Sequence, residues 1–167
     1  MTPIISVFMP VYNGARFLNK SIESILSQTF VDFELVCVDD SSTDDSYSII
    51  EKYSKIDKRV IALRKPNGGN VPKSWNYVLP FLRGKFVSYI SQDDWMSVDN
   101  LEVNYMRYLE TGANIIVPDL IVYYNEGNYK TYIGVRGDRS LIISGKEAFI
   151  LSLNWKMTLN KLQLRLL

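Results

Sequence analysis

Phe33-Glu34-Leu35-Val36-Cys37-Val38-Asp39-Asp40 and Phe86-Val87-Ser88-Tyr89-Ile90-Ser91-Gln92-Asp93-Asp94 share one pattern, an apolar run that stops near two adjacent carboxylates. A short apolar run bounded by polar residues reads as a buried strand. Adjacent carboxylates repel each other unless a cation sits between or beside them, and hard divalent cations take oxygen ligands. In an open α/β sheet, ligands bind outside the carboxyl ends of the strands. Both acidic pairs are therefore expected to face one crevice.

Outward from these two runs, apolar segments alternate with helix-period segments. This predicts βαβ units and an α/β fold with a mainly parallel sheet flanked by helices. Ile4–Met9 reads as a first strand ended by Pro10, and Leu18, Ile22, Ile25 and Leu26 line one face of a helix. Phe33–Val38 is the second strand. Ser42 or Thr43 is expected to cap the next helix, with Asp44 and Asp45 in its first turn and Tyr47, Ile50 and Tyr53 inward. Val60–Leu63 is a third strand, Pro66-Asn67-Gly68-Gly69 a turn, and Pro72 opens a helix reaching Leu82. Lys85–Ser91 is the fourth strand. Leu101, Tyr105, Tyr108 and Leu109 mark a helix that Gly112 stops, and Ala113–Val117 is a fifth strand. Residues 120–135 alternate on either side of Asn125-Glu126-Gly127-Asn128, as in a small β-hairpin. Ser144 starts a last short helix, and Leu159–Leu167 is apolar and basic.

The 167 residues suit one domain, 47% hydrophobic and 22% charged, with ordinary material for a core. A formal net charge of +1 gives no electrostatic case for nucleic acid as a partner. Histidine is absent, which excludes Ser-His-Asp and Cys-His catalysis and histidine metal sites within the chain. Acid, base and metal work fall to carboxylates. The one cysteine, Cys37, lies in an apolar run and reads as a small core hydrophobe in a reducing setting. Residues 1–12 lack the pattern of a signal peptide, and no apolar run reaches the about 18 residues of a membrane span. Neither Gly-x-Gly-x-x-Gly nor a Gly-x-x-x-x-Gly-Lys-Ser/Thr loop occurs.

Pro10-Val11-Tyr12-Asn13, Asp39-Asp40-Ser41-Ser42 and Ser91-Gln92-Asp93-Asp94 close three of the expected strands. Together they offer a flat aromatic for a nucleobase, carboxylates for ribose hydroxyls and a metal site for a diphosphate. Each feature also has a plainer reading. Asp-Asp after a strand can be a turn with a helix cap, and Tyr12-Asn13-Gly14 and Asn67-Gly68-Gly69 can be turns. Lys73 can be a solvated helix lysine.

The order and spacing of these features resemble family 2 glycosyltransferases. Ile5-Ser6-Val7-Phe8-Met9-Pro10-Val11-Tyr12-Asn13, with Leu18 and Ser21-Ile22-Glu23-Ser24-Ile25-Leu26-Ser27-Gln28-Thr29, is similar to that family's opening. Phe33 to Asp44 resembles its second block, and Asn67-Gly68-Gly69 and Ser91-Gln92-Asp93-Asp94-Trp95 its third and fourth. The likeness covers residues 3–118.

The resemblance implies a GT-A fold, a Rossmann-like nucleotide-sugar domain with an Asp-x-Asp-type metal motif. It implies transfer of a sugar from a nucleotide-sugar donor, a UDP-sugar by family frequency, to an acceptor hydroxyl with inversion, assisted by Mg2+ or Mn2+. By position, Pro10, Tyr12 and Asn13 would line the base pocket, Asp39 would meet the uracil or ribose edge, and Lys73 would lie near the nucleotide. Asp93 would approach the ribose or the metal, and Asp94 would be the main metal ligand. Ser91 stands where the family commonly has an acid, so the metal grip rests on Asp93 and Asp94. The resemblance places the general base well downstream of the metal motif, in the acceptor half, and so beyond Leu167; Asp119, Asp138 and Glu147 sit in no recognisable base motif. The chain reads as a single domain truncated at its C-terminus, with residues 1–118 as the nucleotide-sugar-binding half.

The expected setting is cytoplasmic, at the inner membrane face, with a glycan or lipid-linked acceptor in surface polysaccharide synthesis. Peripheral membrane association through Lys156–Leu167 is left open. The alternative reading is a nucleotide-sugar-binding module without turnover, its acceptor half and general base missing. A nucleotidyltransferase is a third reading, but it would want a Gly-rich basic loop after the first strand, where Pro10–Phe17 has only Gly14 and Arg16.

Overall fold

The computed structural model describes residues 2–66, 68–69, 71–113 and 116 and the backbone of 120–125 and 128–132, with Pro72 described by its backbone alone. It divides into two compact units, Met1–Glu102 and Val103–Leu167. The first unit runs β1 (Ile5–Val11), α1 (Ala15–Leu26), β2 (Phe33–Asp39), α2 (Ser46–Ile56), β3 (Val60–Arg64), α3 (Val71–Val78), a 3-10 turn (Leu79–Phe81) and β4 (Phe86–Tyr89). Helix α4 (Asn100–Thr111) begins in it and ends in the second unit. In the second unit β5 (Leu120–Asn125) pairs antiparallel with β6 (Asn128–Tyr132), which is the expected hairpin.

All strands of the first sheet are parallel, in the order β3-β2-β1-β4. Every residue of β2 is buried, including Glu34 and Asp39, and the apolar stretch Leu35–Val38 fills both faces as in a strand covered on both sides. Edge strands β3 and β4 are only partly covered. The chain steps from β1 through β2 to β3, then returns to the far side of β1 to form β4. With right-handed crossovers, this reversal puts α3 on the face opposite α1 and α2. Phe8, Val36 and Val38 meet Val78, Trp75 and Tyr77 on the α3 side. Alternation leaves Val7, Met9, Leu35 and Cys37 for the other face, where Leu18, Ile22, Ile25 and Ile50 are fully buried. The reversal point between β1 and β4 is where open α/β sheets bind ligands.

At the amino-terminal edge of the sheet Glu34 is buried yet ionised. Burial pushes its carboxyl up, but hydrogen bonds from Ser6 and from the Arg83 N–H and guanidinium outweigh it and hold it below the usual range. Gly84 donates its N–H to Ser6 Oγ at 2.8 Å, and a Cβ at Gly84 would lie 2.4 Å from the Ser6 nitrogen. Only glycine lets this loop approach the sheet so closely.

Several expectations are corrected. Pro10 does not end β1, since the strand continues to Val11, paired with Asp39. Successive residues of a parallel strand bond to alternate neighbours. The Phe8 C=O accepts from Ile90 N–H on the β4 side, and the Val11 C=O accepts from Asp40 N–H on the β2 side. Pro10 has the parity of Phe8, and β4 pairing with β1 has already ended at Phe8–Tyr89. The missing N–H therefore costs no ladder bond. Ser42 and Thr43 do not cap α2, and Asp44 and Asp45 precede it rather than filling its first turn. Of the inward residues named for α2, Ile50 is buried, whereas Tyr47 and Tyr53 are half-buried. Helix α3 stops at Val78 and continues as the 3-10 turn, and β4 is shorter than Lys85–Ser91. Gly112 ends α4 with φ of 65°, as expected. The fifth strand at Ala113–Val117 lies largely outside the described residues, and the helix from Ser144 and the Leu159–Leu167 tail lie wholly outside them.

Candidate functional site

Because the sheet is parallel, β1, β2, β3 and β4 all end on one edge. The loop after β1 and the loop after β2 are laced together there. Asn13 N–H donates to Ser42 Oγ at 2.9 Å, Gly14 N–H to Ser46 Oγ at 2.9 Å, and Ala15 N–H to Asp44 Oδ2 at 3.0 Å. In return Thr43 N–H donates to Asn13 Oδ1 at 2.8 Å. The first N–H groups of α1 are thus capped from another segment, which frees α1 from needing a local cap. Asn13 has φ of 48° and Ser41 of 58°. Asparagine tolerates that region through local hydrogen bonds, and the reciprocal bonds hold it there. Tyr12 projects half-exposed from this knot.

The two acidic pairs differ in how their charge is met. Asp39 is fully buried, and its Oδ2 lies 3.1 Å from Arg64 Nε. It also accepts from Ser42 N–H at 3.2 Å. Asp40 is buried against Lys65 and accepts Gly68 N–H at 2.7 Å. Burial pushes the Asp40 carboxyl up, and Lys65 with the Gly68 N–H pulls it below its ordinary value. Asp40 therefore clamps the loop after β3 to β2 and, contrary to the sequence expectation, has no charge to spare for a crevice. Arg64 donates also to the Ser42 C=O at 3.0 Å and lies 5.0 Å from the Tyr47 ring centroid. A ligand at Asp39 would meet the half-exposed Arg64 beside it. Sequence reasoning missed Arg64 and Lys65. The signal was their place just after an apolar run, which the register Asp39–Arg64 turns into adjacency.

Asp93 and Asp94 are exposed, and among the described residues no lysine or arginine pairs with either carboxylate. Partial burial, and then the charge of Asp93, push the Asp94 carboxyl above its ordinary value. Two adjacent uncompensated carboxylates fit a hard divalent cation. Mg2+ is usually held by one or two carboxylates plus substrate phosphates. No cluster of three or more His, Cys, Asp or Glu occurs among the described residues.

Gln92, also missed from sequence, ties this loop to Tyr12. Its Oε1 accepts Tyr12 N–H at 2.8 Å and its Nε2 donates to the Tyr12 C=O at 3.0 Å. Gly14 makes room, since a Cβ there would lie 2.3 Å from Gln92 Oε1. Lys20 of α1 sits over the Trp95 ring at 3.3 Å. Beside them Trp75 stacks on the exposed Tyr89 at 5.6 Å.

Of the residues expected at the site, Pro10 lies at the end of β1 with Tyr12 and Asn13 just after it, Asp39 ends β2, and Asp93 and Asp94 follow β4, all on the one edge. Lys73 is exposed on α3, its stem against the loop that Asp40 clamps, for a Cβ on Gly68 would lie 3.1 Å from Lys73 Cβ. The candidate bases Asp119, Asp138 and Glu147 lie outside the described residues.

The sequence profile described as "Glycosyl transferase family 2" matches residues 6–160. The chain is 34% identical over 134 residues to glycosyltransferase GlyA of Streptococcus pneumoniae serotype 4, covering 80% of this chain and 19% of that protein. It is 30% identical over 143 residues to chondroitin synthase of Pasteurella multocida, covering 86% and 14%. It spans less than half the length of the curated relatives it matches. The crystal structure of residues 1–349 of TarS from S. aureus in complex with UDP-GlcNAc superposes with a TM-score of 0.59 at 29% identity, over 65% of this chain and 32% of that one. The fold is the Rossmann-like GT-A arrangement, and the chain belongs to glycosyl transferase family 2.

Proposed function

We propose that residues 1–118 form the nucleotide-sugar-binding half of an inverting glycosyltransferase that uses a UDP-sugar and Mg2+ or Mn2+. The observation that carries this reading is the contrast between the acidic pairs. Asp39 and Asp40 are neutralised by Arg64 and Lys65, whereas Asp93 and Asp94, on the same sheet edge, pair with no lysine or arginine among the described residues. The UDP-GlcNAc bound to TarS and the polysaccharide made by chondroitin synthase support the donor and product classes. The acceptor would be a hydroxyl of a glycan or lipid-linked glycan. No helix among the described residues is long and apolar enough to cross a membrane.

In this reading Pro10 and Tyr12 line the base, Asn13 holds the loop that carries them, and Asp39, fully buried and paired with Arg64, meets the ribose or uracil edge as that pair opens. Lys73 faces the nucleotide from α3. Asp94, assisted by Asp93, holds the cation. A divalent cation, when bound, offsets the negative charge that builds on the diphosphate as the glycosidic bond breaks.

A thermal-shift panel of UDP-, GDP- and dTDP-sugars with and without Mn2+ tests donor and metal together, because a ligand that binds only the folded state raises its apparent stability. The expected result is a shift with UDP-sugar that depends on Mn2+. A larger shift with a GDP- or dTDP-sugar overturns the donor, and an equal shift without Mn2+ overturns the metal. Donor binding with neither transfer nor hydrolysis would support the binding-module reading instead.

A further inference from the structure

Ser21 and Ser24 of α1 and Gln28 just past its end, spaced three and four residues apart, continue one line along the helix. Each of these polar side chains reaches the backbone of the segment after β4. Ser21 Oγ donates to the Gln92 C=O at 2.7 Å. Ser24 Oγ accepts Met96 N–H at 3.2 Å while donating to the Ser21 C=O. Gln28 Nε2 donates to the Ser97 C=O at 2.6 Å, and its Oε1 accepts Leu101 N–H at 2.9 Å. Thr29 N–H donates to the Val98 C=O at 2.9 Å. Ser21, Gln28 and Leu101 are buried.

Asp93, Asp94 and Trp95 lie between the anchors at Gln92 and Met96, so the acidic span is held at both ends by one helix. Its two adjacent carboxylates repel each other. A slack loop would turn them apart into water. Anchoring the backbone on both flanks keeps them close, and a binding group held in place beforehand loses less freedom when its ligand arrives. The bonds go to backbone atoms and leave both carboxylates open. We infer that Ser24 and Gln28, with Ser21, are positioning residues of the donor site, holding the Asp93-Asp94 span ready for the cation–diphosphate end of the donor. This rests on the proposed function for the identity of the ligand, not for the hold on the loop.

The test compares Ser24→Ala, Ser24→Thr and Gln28→Leu in the whole chain. Hydrogen exchange over residues 93–98 reads the hold, with β2 amides as the control for folding. Calorimetry reads affinity for uridine without metal and the gain in UDP-sugar affinity on adding Mn2+. Ser24→Ala and Gln28→Leu are expected to exchange faster over 93–98 with β2 unchanged. They should lose about tenfold of the Mn2+-dependent gain, the usual scale for one lost hydrogen bond, with uridine affinity retained. Ser24→Thr keeps the acceptor oxygen and should behave as the wild type. Wild-type exchange over 93–98 in both variants overturns the inference, as does an undiminished Mn2+ gain. Parallel loss of uridine affinity also overturns it, by showing general damage. A wild-type chain with no Mn2+ gain would sink the metal-dependent donor reading, and exchange alone would then decide whether α1 holds the loop.

Discussion

The Gln92 side chain closes on both backbone groups of Tyr12, at 2.8 and 3.0 Å, and so extends the link between β1 and β4 past the last paired residues of the strands. Gln92→Ala frees exposed groups that water can satisfy, so its stability cost is about 1 kcal/mol. Gly14→Ala should act through the same contact, because its Cβ would collide with the Gln92 amide. Uridine affinity should fall in either variant, and adding Gly14→Ala to Gln92→Ala should cost little more. Fully additive losses across this double-mutant cycle would show that the two residues act separately.

Asp94 carries a carboxyl raised by partial burial and by Asp93. The folded chain therefore holds that proton more tightly than the unfolded chain. The associated penalty is absent below the unfolded pKa and grows as pH rises through the folded one. Asp94→Asn should raise metal-free stability at neutral pH by no more than about 1 kcal/mol, since water screens exposed charges. The gain should vanish in acid, and Mn2+-dependent donor binding should be lost. A metal-free Asp94→Asn chain that melts below the wild type at pH 7 would contradict this account.

Lys65→Met leaves Asp40 buried without its cation, a loss of about 3–5 kcal/mol for a broken buried pair. Replacing both, as Asp40→Asn with Lys65→Met, should recover part of it. The depressed Asp40 carboxyl contributes stability above its unfolded pKa, lost as pH falls through the folded value. Lys65→Met should therefore flatten the acid limb of the stability profile measured by urea denaturation. An acid limb as steep as the wild type's would argue against the pair.

Glu34, Ser6 and Arg83 form a latch at the edge opposite the site. Arg83→Ala should cost about 2–3 kcal/mol, the scale of hydrogen bonds to a charged group, while uridine affinity stays put. Loss of affinity in the folded variant would mean the two edges are coupled.

Cys37 is fully buried, and burial pushes its thiol up to about 12. It should resist thiol reagents in the native chain and react only on unfolding, at the rate the fold opens. Fast labelling under native conditions would refute its core placement.

The order of elements and the polar strand ends were legible because they are written in local period. Leu35–Val38 is an apolar run with residues of both parities, as a strand covered on both faces requires, and β2 is buried throughout. Leu18, Ile22 and Ile25 repeat at helical spacing, and α1 buries them. Pro10 misled because a missing N–H matters only if a neighbour needs it, and that depends on where β4 ends.

Charge balance was not legible. Asp39-Asp40 and Asp93-Asp94 look alike along the chain, yet Arg64 and Lys65 neutralise only the first pair. Those cations reach it through the β2–β3 register, and Gln92 and Gln28 find their partners across β1–β4 and between α1 and the segment after β4. Side-chain period and turn chemistry are settled by covalent neighbours, so sequence alone determined the α/β order and put acids at the strand ends. Which acid keeps an unmet charge depends on groups brought close only when the sheet forms, and that the tertiary structure decided.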